Sequence, residues 1–191
     1  NLNNIKKINF KNYGCLIVTG TALAKEPSRS ATFKALTLAK KFNIPRVIDL
    51  DYRPYTWKSI IETSRIYNKA IKLCDITIGN DLEFDIIAKK KGKGLFFAKK
   101  LNENTNSIVV YKMGENGSIT FTREKIFKTG IFPVAPIKPT GAGDAFMGGF
   151  LSGIALGKNI EDSVYRGSAT AAIVVTKVGC SSAMPSLNDL N

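Results

Sequence analysis

Residues 15–50, CLIVTGTALAKEPSRSATFKALTLAKKFNIPRVIDL, decide the fold class. Cys15–Gly20 is a compact apolar run with β-branched residues, closed by a glycine, and it reads as a strand. Pro27-Ser28 then opens a helical pattern whose core-facing set is Ala31, Ala35, Leu36, Leu38, Ala39 and Phe42. Pro45 breaks that pattern, and Arg46–Leu50 forms the next strand. Short apolar strands separated by helices belong to a parallel sheet, because a parallel return needs a crossover.

The same alternation continues outward. Ser59 to Leu73 is amphipathic, Asp75–Gly79 is a strand, Leu82 to Lys91 is a helix and Ser107–Gly114 is a strand. SITFT and KIFKTGIFP then alternate like antiparallel strands, the second broken at Thr129-Gly130. Two helices close the chain. One follows Asp144, and the other is capped by Asn159 and carries the small-residue face Gly167-Ser168-Ala169-Thr170-Ala171-Ala172. The expected architecture is α/β: a mostly parallel central sheet covered on both faces, in one unit over residues 1–191. No internal repeat or low-complexity tract divides it. In such sheets ligands sit outside the carboxyl ends of the strands, so functional residues should follow strands directly.

Composition narrows the chemistry. With 191 residues and 44% hydrophobic content the chain can bury a core. No apolar run reaches membrane-spanning length and the first residues lack a signal-peptide layout, so no membrane partner is expected. The three cysteines, Cys15, Cys74 and Cys180, form no CxxC pair and read as reduced thiols of a cytoplasmic protein. Histidine is absent. Ser-His-Asp and Cys-His catalysis are thereby excluded, and a general base must be a carboxylate, Lys, Tyr or Cys. The net charge of +13 is spread along the chain and densest at Lys89–Lys100. Without a helix-turn-helix, zinc-finger or aromatic RNA motif it reads as a solvated lysine face rather than a nucleic-acid site. A positive field also suits a small polyanion such as a nucleotide.

The stretch that carries chemistry is KPTGAGDAFMGG, Lys138–Gly149. Gly141, Ala142 and Gly143 stand at a helix start, where free backbone N–H groups and the helix dipole favour an anion. It is neither a Walker loop nor GxGxxG, since no GK[ST] follows and Phe146 occupies the third glycine's place. Asp144 has two readings. It is an acid in the first helical turn, or it is a base beside an anion nest, suited to taking a proton from a hydroxyl that attacks a phosphoryl group.

KPTGAGDAFMGGFLSG resembles the C-terminal signature of the ribokinase-like (pfkB-type) carbohydrate kinases, DTxGAGD followed by an apolar helix. The resemblance implies Asp144 as catalytic base and Gly141, Ala142 and Gly143 as the anion hole. Three further stretches agree with it. Asn80-Asp81-Leu82-Glu83 matches the family's NxxE, implying that Asn80 and Glu83 hold a hydrated Mg2+ on the phosphates of ATP; a plain helix N-terminus is the alternative. Lys112-Met113-Gly114-Glu115-Asn116-Gly117 resembles the TxGxxG nucleotide loop, implying nucleotide contacts at Lys112, Gly114 and Gly117; a tight turn is the alternative. Gly167–Pro185 resembles the segment flanking adenine and implies Ser168 and Gly179 as neighbours.

DLDYRPYTW, Asp49–Trp57, follows a strand where many members have DxNxRxxxW, with Asp51 in the Asn position. A guanidinium among aromatic residues suits a carboxylate; the alternative is an Arg paired with Asp49 or Asp51 to shape the loop. With GTALAKEPSR (Gly20–Arg29) and CSSAMP (Cys180–Pro185), this stretch is similar to members that phosphorylate the terminal hydroxyl of a keto sugar acid, 5-dehydro-2-deoxy-D-gluconate. It implies Arg53, Asp51 and Arg29 as acceptor-binding residues. 2-Keto-3-deoxygluconate or fructose as acceptor, and a non-catalytic sugar or nucleotide sensor, are the alternatives.

The chain departs from the family pattern at two places. Lys138 stands where many members carry an Asp that binds a monovalent cation, and its ammonium implies activity independent of potassium. Family members are also longer, with N-terminal strands and a β lid through which they often form homodimers. The chain, which begins without Met, is therefore expected to be the C-terminal larger part of such a kinase and inactive alone.

Overall fold

The computed structural model describes residues 2–190. Its strands are β1 (Leu16–Thr19), β2 (Arg46–Asp49), β3 (Ile76–Asn80), β4 (Ile108–Lys112), β5 (Ser118–Phe121) and β6 (Ile126–Thr129), joined in one sheet in that order. β1 to β4 are parallel: Val18 lies opposite Ile48, Ile48 opposite Thr77, and Thr77 opposite Val109. β5 and β6 are linked by a turn in which Thr122 N–H donates to the Lys125 carbonyl at 3.0 Å. So short a link reverses the chain, since a parallel return needs about a dozen residues. The α/β fold with a mostly parallel sheet is as the sequence implies. The helices are α1 (Leu2–Lys6), α2 (Ser28–Lys41), α3 (Ile60–Ile71), α4 (Asp81–Ala88), α5 (Gly94–Thr105), α6 (Ala142–Ala155) and α7 (Ile160–Val175). None of the helices among the described residues is long and apolar enough to cross a membrane.

The chain forms two compact units. One runs through Met113 and includes Thr120–Ile126; the other comprises Gly114–Ile119 and the chain from Phe127 onward. In the first unit Val47, Ile48, Ile78, Val109 and Val110 are all buried, as a sheet covered on two faces demands. α2 packs on β1 and β2. Its Ala35 and Ala39 meet Phe10 and Ile44, with Ile5, Leu16 and Leu38 at the margin. Phe42 does not join the core face assigned to it. The helix ends at Lys41, and the Phe42 ring stacks on Phe10 at 6.4 Å while remaining 37% exposed. α3 begins at Ser59, whose hydroxyl accepts from Glu62 N–H at 3.1 Å.

α5 fills a stretch that the sequence reading left as lysine-rich surface. Gly94, Ala98, Leu101 and Asn102 are its buried residues, one face of a helix. The Asp85 carboxylate fastens its start, accepting from the amides of Gly92 and Gly94 at 2.7 Å each.

In the second unit α6 and α7 lie against each other along small residues. Thr170 Oγ1 donates to the Ala145 carbonyl at 2.7 Å, and a methyl placed on Gly167 would come within 2.8 Å of the Phe146 carbonyl. Asn159 caps α7, its side-chain oxygen accepting from Asp162 N–H at 2.8 Å. The chain between β6 and α6 is irregular rather than a continued strand, because Pro133, Pro136 and Pro139 have no N–H to give to a ladder. It is hooked to α7: the Val175 carbonyl, at the end of that helix, accepts from Ile137 and Lys138 at 2.7 and 3.1 Å, and the Phe132 ring packs on Tyr165 at 4.8 Å.

Candidate functional site

In the first unit, parallel register brings the carboxyl ends of four strands to one edge. Thr19 pairs with Asp49 and Asn80 with Lys112 there. Just beyond β2, residues 50–53 are held from several directions. Leu50 N–H donates to the Ile78 carbonyl at 2.9 Å. The Leu50 carbonyl accepts from the Tyr67 hydroxyl at 2.5 Å. Asp51 has a left-handed φ of 35°. Its carboxylate accepts from Thr21 Oγ1 at 3.1 Å and pairs with Arg53 Nη2 at 2.7 Å. Tyr52 N–H donates to Glu83 Oε1 at 2.8 Å. Burial, then the charges of Glu83, Asp51 and Asp49, push the Tyr67 phenol far above its ordinary value, so it stays a proton donor.

The Arg53 side chain is 50% exposed against 18% for Asp51, so the pair presents the guanidinium outward. Arg29 is placed differently. Its Nε donates to the Leu23 carbonyl at 2.7 Å, another nitrogen donates to the Ala24 carbonyl, and it pairs with Glu62 at 3.0 Å. It also lies over the Trp57 ring at 5.8 Å. These contacts shape the wall formed by the turn at Gly20–Leu23 and the start of α3.

Asn80 and Glu83 form a capping box at the start of α4. Asn80 Oδ1 accepts from Glu83 N–H at 2.9 Å, and Glu83 Oε2 accepts from Asn80 N–H at 2.7 Å. Glu83 is 5% exposed and both its oxygens already accept backbone protons. With each oxygen engaged on the backbone, the arrangement suits contact to a hydrated Mg2+ through water rather than direct ligation. Among the described residues no group of three acidic, Cys or His side chains could hold a metal.

In the second unit, Gly141 occupies the N-cap of α6 with φ 88°. The Ala142 amide donates to Pro139 O at 3.3 Å, and Ala145 N–H closes the first turn on Gly141 O at 2.9 Å. The amides of Gly143 and Asp144 have no carbonyl partner among the described residues, as expected of a helix start. Asp144 is exposed in that first turn and has no side-chain partner among the described residues. Cys180 flanks the same turn: a methyl on Gly141 would stand 2.9 Å from its sulfur. Gly114–Asn116 is a 3-10 turn closed by Gly117 N–H to Gly114 O at 3.1 Å, with both glycines at positive φ. Ser168 is half-buried on α7 and Gly179 has φ 122°. A cleft of about 720 Å3 runs along α7 by Phe132, Tyr165, Ala169 and Ile173, and none of the Gly141–Asp144 residues lines it.

Sequence reading missed Thr21, Tyr67 and the bond from Glu83 to Tyr52. No local pattern signals them, since their partners are 30, 17 and 31 residues away.

The chain matches a sequence model of the pfkB family carbohydrate kinases over residues 2–187. It is 40% identical over 192 residues to the 5-dehydro-2-deoxygluconokinase of Geobacillus thermodenitrificans (strain NG80-2), covering 98% of this chain and 57% of the relative. Thus the chain spans little more than half the length of that protein. Its fold matches a fructokinase from Vibrio cholerae O395 solved with fructose, ADP and a calcium ion: TM-score 0.83, 25% identity, 96% of this chain and 63% of that one. A ribokinase-type protein of E. coli in complex with ATP and Mg2+ matches with TM-score 0.86 and 21% identity, over all of this chain and 64% of that one.

Proposed function

Because the chain belongs to the pfkB family of carbohydrate kinases, we propose that it carries the catalytic and nucleotide-binding portion of an ATP-dependent sugar-acid kinase. The acceptor is 5-dehydro-2-deoxy-D-gluconate and the product its 6-phosphate. The single observation that carries the reading is Asp144: a solvent-facing carboxylate without a partner among the described residues, in the first turn of a helix where the amides of Gly143 and Asp144 have no carbonyl partner.

In this reading Asp144 accepts the proton of the acceptor's terminal hydroxyl as its oxygen attacks the γ-phosphorus of ATP. The bond from that phosphorus to the β,γ-bridging oxygen breaks and ADP leaves. The free amides of Gly143 and Asp144, in the loop shaped by Gly141 and Ala142, stabilise the charge developing on the transferred group. Gly114 and Gly117, with Lys112 before them and Ser168 and Gly179 beyond, bind the nucleotide. Asn80 and Glu83 would hold a hydrated Mg2+ on the phosphates of ATP, and that ion would supply charge neutralisation. Arg53 receives the substrate carboxylate, Asp51 orients Arg53, and Arg29 shapes the wall beside it. The second acceptors are 2-keto-3-deoxygluconate and fructose.

Coupled ADP release on the full-length protein with these three acceptors tests the reading. Asp144→Asn is expected to lose about 10²- to 10⁴-fold in kcat, the usual contribution of a general base. A variant retaining most of the rate rules Asp144 out as the base. Arg53→Ala is expected to raise KM for the sugar acid about 10- to 100-fold, the loss of charge-assisted hydrogen bonds, while KM for fructose stays put.

A further inference from the structure

Glu83 is a charged group at 5% exposure, a costly position unless its oxygens are engaged. One oxygen closes the capping box on its own helix, through Asn80 N–H at 2.7 Å. A cap requires no more than that. The other reaches out of the helix to Tyr52 N–H at 2.8 Å, an amide 31 residues earlier in the chain. That amide joins Asp51, held at φ 35°, to Tyr52, the residue before Arg53. A non-glycine residue in this region persists only where its surroundings over-determine it. Thr21 holds the Asp51 side chain and Tyr67 holds the Leu50 carbonyl. Glu83 holds the Asp51–Tyr52 peptide, one residue ahead of Arg53.

We propose that Glu83 is a positioning residue for acceptor recognition: by accepting from Tyr52 N–H it fixes the Asp51–Tyr52 peptide, and through it the turn that presents Arg53 to the substrate's carboxylate. The inference rests on the sugar-acid reading of Arg53. Its own content is the link from the α4 cap to the acceptor loop. The adjoining surface agrees with a packed junction, since a methyl on Gly79 would lie 3.1 Å from Glu83 Oε2 and collide with the Leu50 side chain.

Calorimetry on the full-length protein separates the possibilities. Binding of 5-dehydro-2-deoxy-D-gluconate is measured in EDTA without nucleotide for wild type, Glu83→Gln, Arg53→Ala and the double variant; Mg-ADP binding is measured separately. Glu83→Gln is expected to weaken sugar-acid binding about tenfold, the loss of one charge-assisted hydrogen bond. Mg-ADP affinity is expected to hold, and the double variant to bind no worse than Arg53→Ala alone, because the two changes act through one contact. Weakened Mg-ADP binding with intact sugar-acid binding overturns the inference, as does additivity of the two changes. If Glu83→Gln loses its circular dichroism, Glu83→Asp is read by the same criteria, since it keeps the charge and withdraws it from Tyr52 by one methylene. Wild type that takes up no sugar acid, or an Arg53→Ala that binds as wild type does, overturns the acceptor reading and this inference together. Tight wild-type binding, lost on Arg53→Ala and untouched by either Glu83 change, overturns only the inference.

Discussion

Gly141 combines two constraints on one α-carbon: φ 88° and a cysteine sulfur 2.9 Å from where a side chain would begin. Gly141→Ala therefore meets both left-handed strain and a clash. Its expected cost is about 1–3 kcal/mol of stability, measured by urea titration, together with a fall in kcat as the Gly143 and Asp144 amides tilt. Cys180 supplies a second probe of the same turn. Alkylation with iodoacetamide is expected to reduce turnover, and prior binding of Mg-ADP to slow the alkylation. At this scale the sequence disclosed a good deal. The glycines and the acid of GAGD are contiguous, so a local reading reaches them. Thr21 bonding Asp51, or Cys180 beside Gly141, depends on how distant segments meet, and no periodicity encodes that.

Elements were legible in proportion to the regularity of their apolar pattern. β2 and β3 are short and almost wholly buried, and Asn159 is a strong cap, so both kinds of boundary stood out. Asn159→Ala is expected to lower stability by about 1 kcal/mol in chemical denaturation, the usual worth of an N-cap. α5 was missed because Gly92 and a run of lysines precede it, and its helical face is made of Gly94, Ala98, Leu101 and Asn102, hardly an apolar stripe. Its start is fixed by the Asp85 carboxylate rather than by a capping residue of its own. The junction of α3 and β3 sets an alkaline limit. Burial pushes the Cys74 thiol up to about 12, Asp75 adding to the effect and Arg46 opposing it, whereas the unfolded chain returns it to 9.0. Over that window the folded state holds a proton that the unfolded state releases. The contribution is thus complete below pH 9 and is lost as pH rises toward 12. Buried Tyr67 acts in the same direction. Melting temperature is expected to fall steadily above pH 9, and Cys74→Ala to make the decline shallower.

For the molecule as a whole, a net charge of +13 imposes self-repulsion. Raising sodium chloride from about 20 to 200 mM shortens the screening length to under about 10 Å and is expected to raise the melting temperature. Potassium in place of sodium at equal strength is expected to leave the kinase rate unchanged, since Lys138 already contributes a fixed positive charge; a large rise with potassium refutes that role. The parallel sheet could be read from alternation alone, whereas the division into two compact units could not, because it runs through β5 and β6 instead of through a linker. The carbonyl of Val175 takes two amides from the approach to Gly141. It belongs to the last residue of α7, where helices fray first. Warming should therefore slacken the approach to Asp144 while the remainder of the protein is still intact, and catalysis would behave like a fuse: turnover ceases several degrees before the calorimetric transition, and hydrogen exchange at Ile137 and Lys138 accelerates at that same lower temperature.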